Sequence, residues 1–426
     1  MSAPFLYRAW VGASVLALPI FARSETKKLT QAGLSAARAR EKLGHATVPR
    51  PGDGPLIWFH AASVGESLSV LALITRMGVA LPQAHFLITS GTATSAQLVA
   101  RRLPPRTQHQ FAPLDAPGPL SRFLAHWQPD AALFVESELW PQMLRRTKAS
   151  GARLALVNAR LSERSQESWR KRPALARYLF EVFDLILTQN DPMARAMVEM
   201  HAPAERVARG INLKSMSDPL PIDAALRAQT AEALANRPVW VASSTHPGEE
   251  EVVLQAHRRL LRDLPDLMLI LAPRHPDRGD AVAELISAAN LPYTRRSKGE
   301  ALGGKVYLAD TMGELGTWYA LTDVVFLGGS LKPIGGHNPF EVAQAGAAVF
   351  SGPHVANFAE TFAELEACGV SRFVSDGRDL AHRVSAFLTD ADAQRKAKAA
   401  AAAFAQAQTD QLEAIAQRLI NALELS

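Results

Sequence analysis

Short apolar runs alternate with amphipathic stretches along most of the chain. A first series of apolar runs comprises Leu56–Ala61, His85–Thr89, Ala131–Val135, Arg153–Val157 and Leu185–Thr188. A second series comprises Val239–Ser243, Leu267–Ala272, Val306–Leu308, Val324–Leu327 and Ala348–Phe350. Strands that alternate with helices are typical of parallel sheets covered by helices on both faces. The pattern therefore predicts an α/β protein with two Rossmann-like domains, whose ligand-binding edges we expect to face a cleft.

The segments between the two series of apolar runs predict the domain boundaries of the chain. We expect an N-terminal segment over residues 1–30, a first domain over 31–212, a linker over 213–234, a second domain over 235–390 and a C-terminal helix over 391–426. The linker contains Asp218-Pro219-Leu220-Pro221, and its prolines disfavour continuous regular structure. The C-terminal helix is rich in alanine and long enough to cross back to the first domain.

The N-terminal segment is apolar from Ala9 to Ala22, between Arg8 and Arg23, and further basic residues follow it. This stretch is shorter than the roughly 20 residues of a spanning helix. It suits a helix that lies on an anionic membrane surface, held by its apolar and basic residues. Two alternatives remain open: a helix packed on the first domain, and a signal peptide, although no clear cleavage site precedes Arg23.

The composition narrows the class of partner. The chain has 426 residues, of which 48% are hydrophobic, and a formal net charge of +5. This mild positive charge suits anionic small molecules or an anionic membrane surface. The sequence has no RNA-binding aromatic motif and no zinc-finger spacing, which argues against nucleic acid as a partner. The single cysteine, Cys368, excludes an internal disulfide and indicates a reducing compartment.

A glycine-rich segment follows the apolar run Val324–Leu327. Its anion-binding candidates are Gly328, Gly329, Ser330, Gly336 and Asn338. In the helix that follows, Asn338 suits the N-cap, Pro339 the first position and Glu341 the third position of a capping box. Glycines before a helix leave backbone N–H groups accessible to an anion, so the segment predicts a phosphate site. Glu341 has two open interpretations, a capping role or a hydrogen bond to a sugar hydroxyl.

Polar motifs follow the other predicted strands as well. Those of the first series are His60–Glu66, Ser90-Gly91-Thr92, Glu136–Pro141 and Asn158-Ala159-Arg160. Those of the second series are Ser244–Glu249, Ala272–Pro276 and Ser351–His354. Because the carboxyl ends of parallel strands open on one edge, where α/β folds bind ligands, these motifs predict a binding site on each sheet.

Several of these motifs, taken together and in this order, resemble the transferase family of lipopolysaccharide synthesis that handles 3-deoxy-D-manno-octulosonic acid (Kdo). They are H-A-x-S-V-G-E at His60–Glu66, E-S-E-L-W-P at Glu136–Pro141, N-A-R-L-S-x-R-S at Asn158–Ser165, A-P-R-H-P at Ala272–Pro276 and G-G-S…G-G-H-N at Gly328–Asn338. The resemblance covers nearly the whole chain.

This resemblance implies the two-domain glycosyltransferase architecture called GT-B, with the acceptor in the first domain and CMP-Kdo in the second. It implies an inverting transfer of Kdo from CMP-Kdo to a lipid A precursor, lipid IVA, without a metal ion or another cofactor. It also implies a protein held at the cytoplasmic face of the cell inner membrane.

Glu66 is the candidate general base, since an inverting transfer needs a carboxylate that takes the proton of the attacking hydroxyl. The residues alone leave a second interpretation open, in which Glu66 closes a capping box with Ser63. The resemblance favours the base, because the catalytic base of the family lies in this motif. It also implies an essential acidic residue at Glu136 or Glu138, and we favour Glu138. The candidates for binding the acceptor or Kdo are Ser63, Gly65, Ser90, Gly91, Thr92, Glu136, Arg160 and Lys214.

Arg274 is the candidate ligand of the donor phosphate or carboxylate, because a guanidinium binds an oxyanion through two hydrogen bonds. His275 and His337 are candidate hydrogen-bond donors beside it. These histidines are accompanied by no H-E-x-x-H motif, no cysteine ligand and no D-x-D pair suited to a nucleotide-bound ion. The sequence therefore argues against a metal site.

Two other classes of function remain open from the sequence. A sugar-nucleotide epimerase of the same architecture would use similar carboxylates and glycines without a lipid acceptor. A non-catalytic, membrane-associated protein that binds a sugar nucleotide or a lipid would bind CMP without turnover. The presence of both Glu66 and Glu138 argues against the non-catalytic protein.

Overall fold

The computed structural model describes residues 2–216, 219–235 and 237–425. Ser217 and Asp218 of the predicted linker, Asn236 of the predicted second domain, and the terminal residues Met1 and Ser426 lie outside the described residues. The contacts along the chain divide it into two compact units, residues 1–216 with 410–426, and residues 217–409. The division between residues 216 and 217 falls inside the range predicted as a linker.

The first unit is built on a parallel sheet. Its strands are β1 Leu56–His60, β2 His85–Ser90, β3 Thr107–Phe111, β4 Ala131–Val135, β5 Arg153–Ala159, β6 Leu185–Thr188 and β7 Val207–Arg209. They pair in the order β3-β2-β1-β4-β5-β6-β7. Its helices are α1 Phe5–Gln31, α2 Ala36–Ala39, α3 Val64–Ser69, α4 Leu71–Ala80, α5 Ala93–Ala100, α6 Pro117–Trp127, α7 Pro141–Ala149, α8 Glu163–Arg170, α9 Pro173–Phe180 and α10 Asp191–Glu199, with 3₁₀ turns at Arg40–Leu43, Ala204–Arg206 and Leu213–Ser215.

The second unit repeats this plan. Its strands are β8 Val239–Thr245, β9 Met268–Pro273, β10 Tyr293–Arg295, β11 Val306–Leu308, β12 Val324–Leu327, β13 Ala348–Ser351 and β14 Ser371–Phe373. They pair in parallel in the order β10-β11-β9-β8-β12-β13-β14. The helices that follow α10 are α11 Ala224–Leu234, α12 Glu250–Asp263, α13 Gly279–Ala288, α14 Leu315–Tyr319, α15 Phe340–Gln344, α16 Ala359–Ala367, α17 Gly377–Leu388 and α18 Ala391–Ala422, with 3₁₀ turns at Pro276–Arg278, Arg296–Lys298 and Ala356–Phe358.

Each sheet is buried on both faces, as expected for parallel strands covered by helices. In the first unit, alternate residues of β1 point to opposite cores, Phe59 to one and Trp58 to the other. The last part of α18 belongs to this unit, where Leu412 and Leu419 are buried in the same core as Phe59. The C-terminal helix is therefore part of the hydrophobic core of the first unit.

The strand order sets the position of a ligand site in each unit. In the first sheet β2 and β3 lie on one side of β1, and β4 lies on the other. In the second sheet β9 lies on one side of β8, and β12 lies on the other. The crevice outside the carboxyl ends of the strands at such a switch point is where open α/β sheets bind ligands. The loops after β1 and β4, and those after β8 and β12, therefore border the expected ligand sites.

The prediction of an α/β fold with two parallel sheets is confirmed. The predicted strands are all present, with ends shifted by at most two residues. Four strands were not predicted, β3, β7, β10 and β14, and each lies at the edge of its sheet.

Helix α1 is longer than the predicted apolar segment, and Pro19 lies inside it. Its most apolar window has a mean hydropathy of 1.5, and none of the residues in that window is buried. Among the described residues it is the one helix whose length and composition would allow it to cross a membrane. The same properties are found in signal sequences.

Candidate active site

The carboxylate of Glu66 lies at the switch point of the first sheet, where the chain leaves β1 and enters α3. Ser63 caps this helix: its Oγ accepts a hydrogen bond from the Glu66 N–H (3.2 Å) and donates one to Oε1 (2.8 Å). The Ala62 N–H donates to Oε2 (3.0 Å). Only half of the capping box considered from the sequence is thus present, because the Glu66 carboxylate accepts from the Ala62 N–H and the Ser63 hydroxyl rather than from the Ser63 N–H. These hydrogen bonds fix the carboxylate. An ionised carboxylate has about four acceptor sites, so the half-buried Glu66 keeps free capacity on both oxygens.

Glu136 follows β4 on the other side of the switch point and is almost fully buried. Lys214 Nζ lies 2.7 Å from Glu136 Oε1, and Asn158 Nδ2 donates to the same oxygen (3.3 Å). Glu136 (φ 55°) and Asn158 (φ 54°) both adopt the left-handed backbone region. This region costs a residue other than glycine of the order of 1–3 kcal/mol, and such strain clusters at functional sites.

Glu138 lies beside His60, the first residue of the motif that contains Glu66. Glu138 Oε2 is 3.2 Å from His60 Nε2 and accepts a hydrogen bond from Trp140 Nε1 (2.6 Å). His60 Nδ1 in turn lies 3.0 Å from Thr89 Oγ1. Burial acts to raise the pKa of Glu138, but the contacts with His60 and Trp140 outweigh it and lower the pKa. Glu138 is therefore a fixed, ionised hydrogen-bond acceptor.

The pKa of Glu66 is shifted in the opposite direction. Burial raises it, and the charges of Glu138 and Glu136 raise it further, against the hydrogen bonds of Ser63 and Ala62. A raised pKa brings a carboxylate closer to the range in which a general base works best. Neighbouring carboxylates whose pKa values are pushed apart are typical of acid–base chemistry.

Gly91 allows the loops around Glu66 to come close together, whereas a Cβ at Gly65 would make only an ordinary van der Waals contact. Lys214 Cε lies 3.8 Å from the position that a Cβ would take at Gly65. The Gly91 N–H donates to Ala62 O (2.9 Å), and a Cβ at Gly91 would lie 2.9 Å from the same oxygen. A larger residue at position 91 would therefore push the loop after β2 away from the loop after β1. The predicted residues that meet at this edge are Ser63, Gly65, Glu66, Gly91, Glu136, Glu138 and Lys214.

Ser90, Thr92 and Arg160 have different surroundings. The buried Ser90 Oγ lies 2.8 Å from His109 Nε2 and accepts a hydrogen bond from Ser95 Oγ (2.7 Å). Thr92 forms a capping box with Ser95 at the start of α5. Both hydroxyls thus have partners within the fold, whereas Arg160 is exposed after β5.

The glycine-rich segment of the second unit differs from the prediction. The fully buried Glu249 accepts hydrogen bonds from the N–H groups of Gly329 (2.7 Å), Ser330 (2.9 Å) and Leu331 (2.9 Å). It also accepts one from the His246 N–H (3.0 Å). The N–H groups expected to bind a phosphate therefore already bind a carboxylate of the chain itself. These N–H groups of Gly329 and Ser330 are therefore already engaged, and the donor-binding role of the segment stays a prediction.

The side chains of this segment also shape the loop. Ser330 Oγ donates to Leu327 O (2.7 Å) and accepts from the Gly352 N–H (2.9 Å), so this hydroxyl is held within the fold. Gly329 has a φ of 69°, and a Cβ there would lie 2.9 Å from the His337 ring. A glycine is therefore required at position 329 both for its backbone conformation and for its packing.

The helix after the segment starts one residue later than predicted. Helix α15 begins at Phe340 with Pro339 as its N-cap. Asn338 Oδ1 nevertheless accepts a hydrogen bond from the Phe340 N–H (3.1 Å), so its side chain still satisfies the start of the helix. Glu341 is the second residue of α15 and is half-buried, while Gly328 and Gly336 lie in the buried part of the segment.

His246 and His337 form a stacked pair at the second switch point. Their rings lie at 8° to each other, with the two Nε2 atoms 3.0 Å apart. Burial, together with the charges of His246 and Arg274, lowers the pKa of His337 to about 4, and burial likewise lowers the pKa of His246. Both rings are thus neutral at neutral pH, so that one nitrogen donates and the other accepts. Arg274 and His275 are exposed beside this pair, and the His275 ring lies 5.8 Å from that of His246.

Three residues that contact the candidates were not assigned a role from the sequence: His60, Asn158 and Glu249. All three lie in the polar motifs at the ends of strands, and this position is the one feature of the sequence that indicates a role for them. Their contacts join loops that are distant along the chain. As for metal ions, no group of three or more His, Cys, Asp or Glu side chains in the described ranges is arranged to hold one.

Known proteins resemble the chain in sequence and in fold. A family model described as 3-Deoxy-D-manno-octulosonic-acid transferase (kdotransferase) matches residues 37–217. A 3-deoxy-D-manno-octulosonic acid transferase of Haemophilus influenzae is 34% identical over 359 residues, which cover 82% of this chain and 82% of the relative. A probable mitochondrial 3-deoxy-D-manno-octulosonic acid transferase of Arabidopsis thaliana is 34% identical over 331 residues, which cover 76% of this chain and 74% of the relative. The solved structure of a glycosyltransferase from Rickettsia africae shares the fold at a TM-score of 0.58 and 13% identity, covering 88% of this chain and 100% of that one.

Proposed function

Because the chain belongs to the 3-deoxy-D-manno-octulosonic acid (Kdo) transferase family, it is a glycosyltransferase that transfers Kdo, and we propose that it does so from CMP-Kdo to a lipid A precursor. In this proposal the acceptor is lipid IVA, the product enters the lipopolysaccharide core, and the anomeric carbon is inverted. The observation that carries the proposal is the position of Glu66, an accessible carboxylate with a raised pKa at the switch point of the first sheet.

The chemical step begins with Glu66. A hydroxyl of the acceptor sugar gives its proton to the Glu66 carboxylate, and its oxygen attacks C2 of Kdo. The attack comes from the face opposite the CMP phosphate. The bond between C2 and the phosphate oxygen breaks, and CMP leaves with the electron pair. The proton on Glu66 then passes to solvent, which restores the base.

The other carboxylates of this edge position the sugar. Lys214 and Asn158 hold Glu136, while His60 and Trp140 hold Glu138. Both carboxylates are therefore fixed acceptors for sugar hydroxyl groups. Their charges also raise the pKa of Glu66, which makes it a stronger base once it has ionised.

The donor is bound at the edge of the second sheet. The exposed guanidinium of Arg274, with His275 beside it, is suited to the phosphate or the Kdo carboxylate of the donor. The loop from Gly328 to Asn338, with His337 and Glu341, lines this site and is held in shape by Glu249. A guanidinium beside the leaving phosphate stabilises the charge that develops there, which is the task a metal ion has in other transferases.

The lipid acceptor also requires contact with a membrane, which we assign to α1. The helix combines exposed apolar residues with basic residues near its end, such as Lys27 and Lys28. This combination supports attachment to the anionic cytoplasmic face of the inner membrane. Attachment there would keep the first unit close to an amphiphilic acceptor.

The test is a transfer assay with purified protein in detergent and excess EDTA. CMP-Kdo is generated in situ and offered with a tetraacylated lipid A precursor, and the products are identified by mass. We expect one or more Kdo units on the lipid and one released CMP for each unit. UDP-N-acetylglucosamine, the substrate of an epimerase of this architecture, should remain unchanged in a parallel reaction. Protein that binds CMP but forms no Kdo-lipid would contradict the proposal.

A further inference from the structure

A cavity of about 580 Å3 lies in the first unit between α1 and the carboxyl edge of the sheet. Trp10, Ala17 and Phe21 of α1 line one side of it, and Ala112 and Leu114 after β3 line another. The cavity is also lined by His60, Gly91 and Glu138, so it is continuous with the candidate active site. Its volume lies within the range of roughly 300–1,000 Å3 that is usual for small-molecule sites.

Polar contacts hold α1 over this cavity rather than against the sheet. Trp10 Nε1 donates to Asp115 Oδ2 (2.7 Å), and Gln142 Nε2 donates to Ser14 Oγ (2.7 Å). Further along the helix, Leu29 is buried in a small apolar cluster. The part of α1 between these anchors therefore spans the cavity without filling it.

The interior of the cavity is suited to an uncharged, apolar group. Three carboxylates line the cavity, and Glu138 lies at its active-site end. Glu25 forms an ion pair with Lys28 (2.6 Å), and Asp115 is already paired with Trp10 and with the Met143 N–H (2.6 Å). Burial raises the pKa of Asp115, and burial lowers the pKa of Lys42, which also lines the cavity, to about 8. Shifts of this kind reflect surroundings that solvate charges poorly. A charged ligand would therefore be bound unfavourably here.

The outer face of α1 is apolar as well. Phe5, Leu16 and Ile20 have exposed fractions of 74%, 81% and 73%. A helix with such a face is typical of proteins that place it among lipid chains. The cavity thus lies between a helix suited to lipid on one side and the active-site carboxylate of Glu138 on the other.

We infer that this cavity holds one fatty-acyl chain of the lipid acceptor while the acceptor sugar lies at Glu66. The inference rests on the proposed function and adds the means by which the lipid is recognised. The chain enters past α1 and lies against Ala17 and Leu114, and the polar sugar remains beside His60 and Glu138. The acyl chain then aligns the acceptor hydroxyl with the base.

A kinetic comparison tests this inference. Ala17→Trp fills the cavity from α1, and Leu16→Trp places the same indole side chain on the outer face of the helix as a control. Loss of about two buried methylene groups corresponds to about tenfold in affinity. We expect Ala17→Trp to raise KM for the acylated acceptor about tenfold, with kcat/KM for a fully deacylated, phosphorylated glucosamine disaccharide unchanged. Leu16→Trp should change neither constant, and equal effects of Ala17→Trp on both acceptors would overturn the inference.

Photolabelling gives a second readout that does not depend on transfer. The protein in lipid nanodiscs is irradiated with a 16-carbon fatty acid that carries a terminal diazirine, and labelled peptides are identified by mass. We expect label on residues 112–116, which line the cavity from the sheet side, with loss of this label in Ala17→Trp and retention in Leu16→Trp. Label confined to the outer face of α1 would overturn the inference. If wild type transfers Kdo to neither acceptor but labels residues 112–116, the proposed function fails and the apolar site stands.

Discussion

Glu66, Glu138 and Glu249 all lie shortly after a strand, but their surroundings give them different tasks. Glu66 keeps free acceptor capacity and has a raised pKa, whereas contact with His60 lowers the pKa of Glu138. Glu249 is fully buried, and its carboxylate accepts hydrogen bonds from backbone N–H groups. The residue type alone does not separate a base from a structural anion. The contacts of each carboxylate do.

Replacement of Glu249 tests its structural role. In Glu249→Gln the new amide group faces N–H donors, so at least one hydrogen bond to a charged acceptor is lost. Such a bond contributes about 1.5–3 kcal/mol, and we expect the free energy of unfolding to fall by about 3 kcal/mol. CMP should also bind more weakly, because the loop from Gly328 to Asn338 loses its anchor. Denaturant unfolding and calorimetric titration with CMP measure the two effects.

The exposed Glu251→Gln, in the same helix region, is the matched control and should change neither quantity. Wild-type stability together with wild-type CMP affinity in Glu249→Gln would contradict the role assigned to Glu249.

At the scale of single elements, central strands could be predicted from the sequence and edge strands could not. A central parallel strand is buried on both faces and appears as a continuous apolar run, as in Val324–Leu327. An edge strand pairs on one side only and tolerates polar residues, as in Tyr293–Arg295, where every residue is partly exposed. The same reasoning applies to Thr107–Phe111, Val207–Arg209 and Ser371–Phe373. Hydrophobic patterns in the sequence therefore predict the central strands of a parallel sheet better than its edge strands.

Helix α18 offers a test at this scale, because its end is part of the core of the first unit. Leu419 is fully buried there, and Leu419→Ala should lower the free energy of unfolding of this unit by about 2–5 kcal/mol. The adjacent Arg418 is exposed, and Arg418→Ala should change the free energy of unfolding by no more than about 0.5 kcal/mol. Hydrogen exchange of peptides from β1 and β4 reports on this unit directly. Equal protection in the two variants would contradict the packing of α18.

At the scale of the whole molecule, the strand order brings the motifs together. The sequence placed polar motifs at the carboxyl ends of strands, and the loops after β1 and β4 indeed meet at the switch point of the first sheet. Their partners could not be predicted, because His60 meets Glu138, and Glu249 meets Gly329, across long separations in the chain. Such contacts depend on which strands are neighbours, and hydrophobic periodicity does not specify this. The hydrogen bonds of the Gly329 and Ser330 N–H groups to Glu249 could not be predicted for the same reason.

The dependence of Kdo transfer on pH, compared between wild type and Glu66→Gln, tests the central claim that Glu66 is the base. In wild type kcat/KM should rise with pH as Glu66 ionises, and this rise should lie above the ordinary glutamate pKa of about 4.3, because burial and two carboxylates raise the pKa of Glu66. In Glu66→Gln, kcat/KM should fall by a factor of about 10²–10⁴ and should no longer rise with pH in this range. The variant should still bind CMP as wild type does. The exposed Glu205→Gln should behave as wild type. If kcat/KM of Glu66→Gln stays within a few-fold of wild type and rises with pH in the same way, Glu66 is only a helix cap and the account is contradicted.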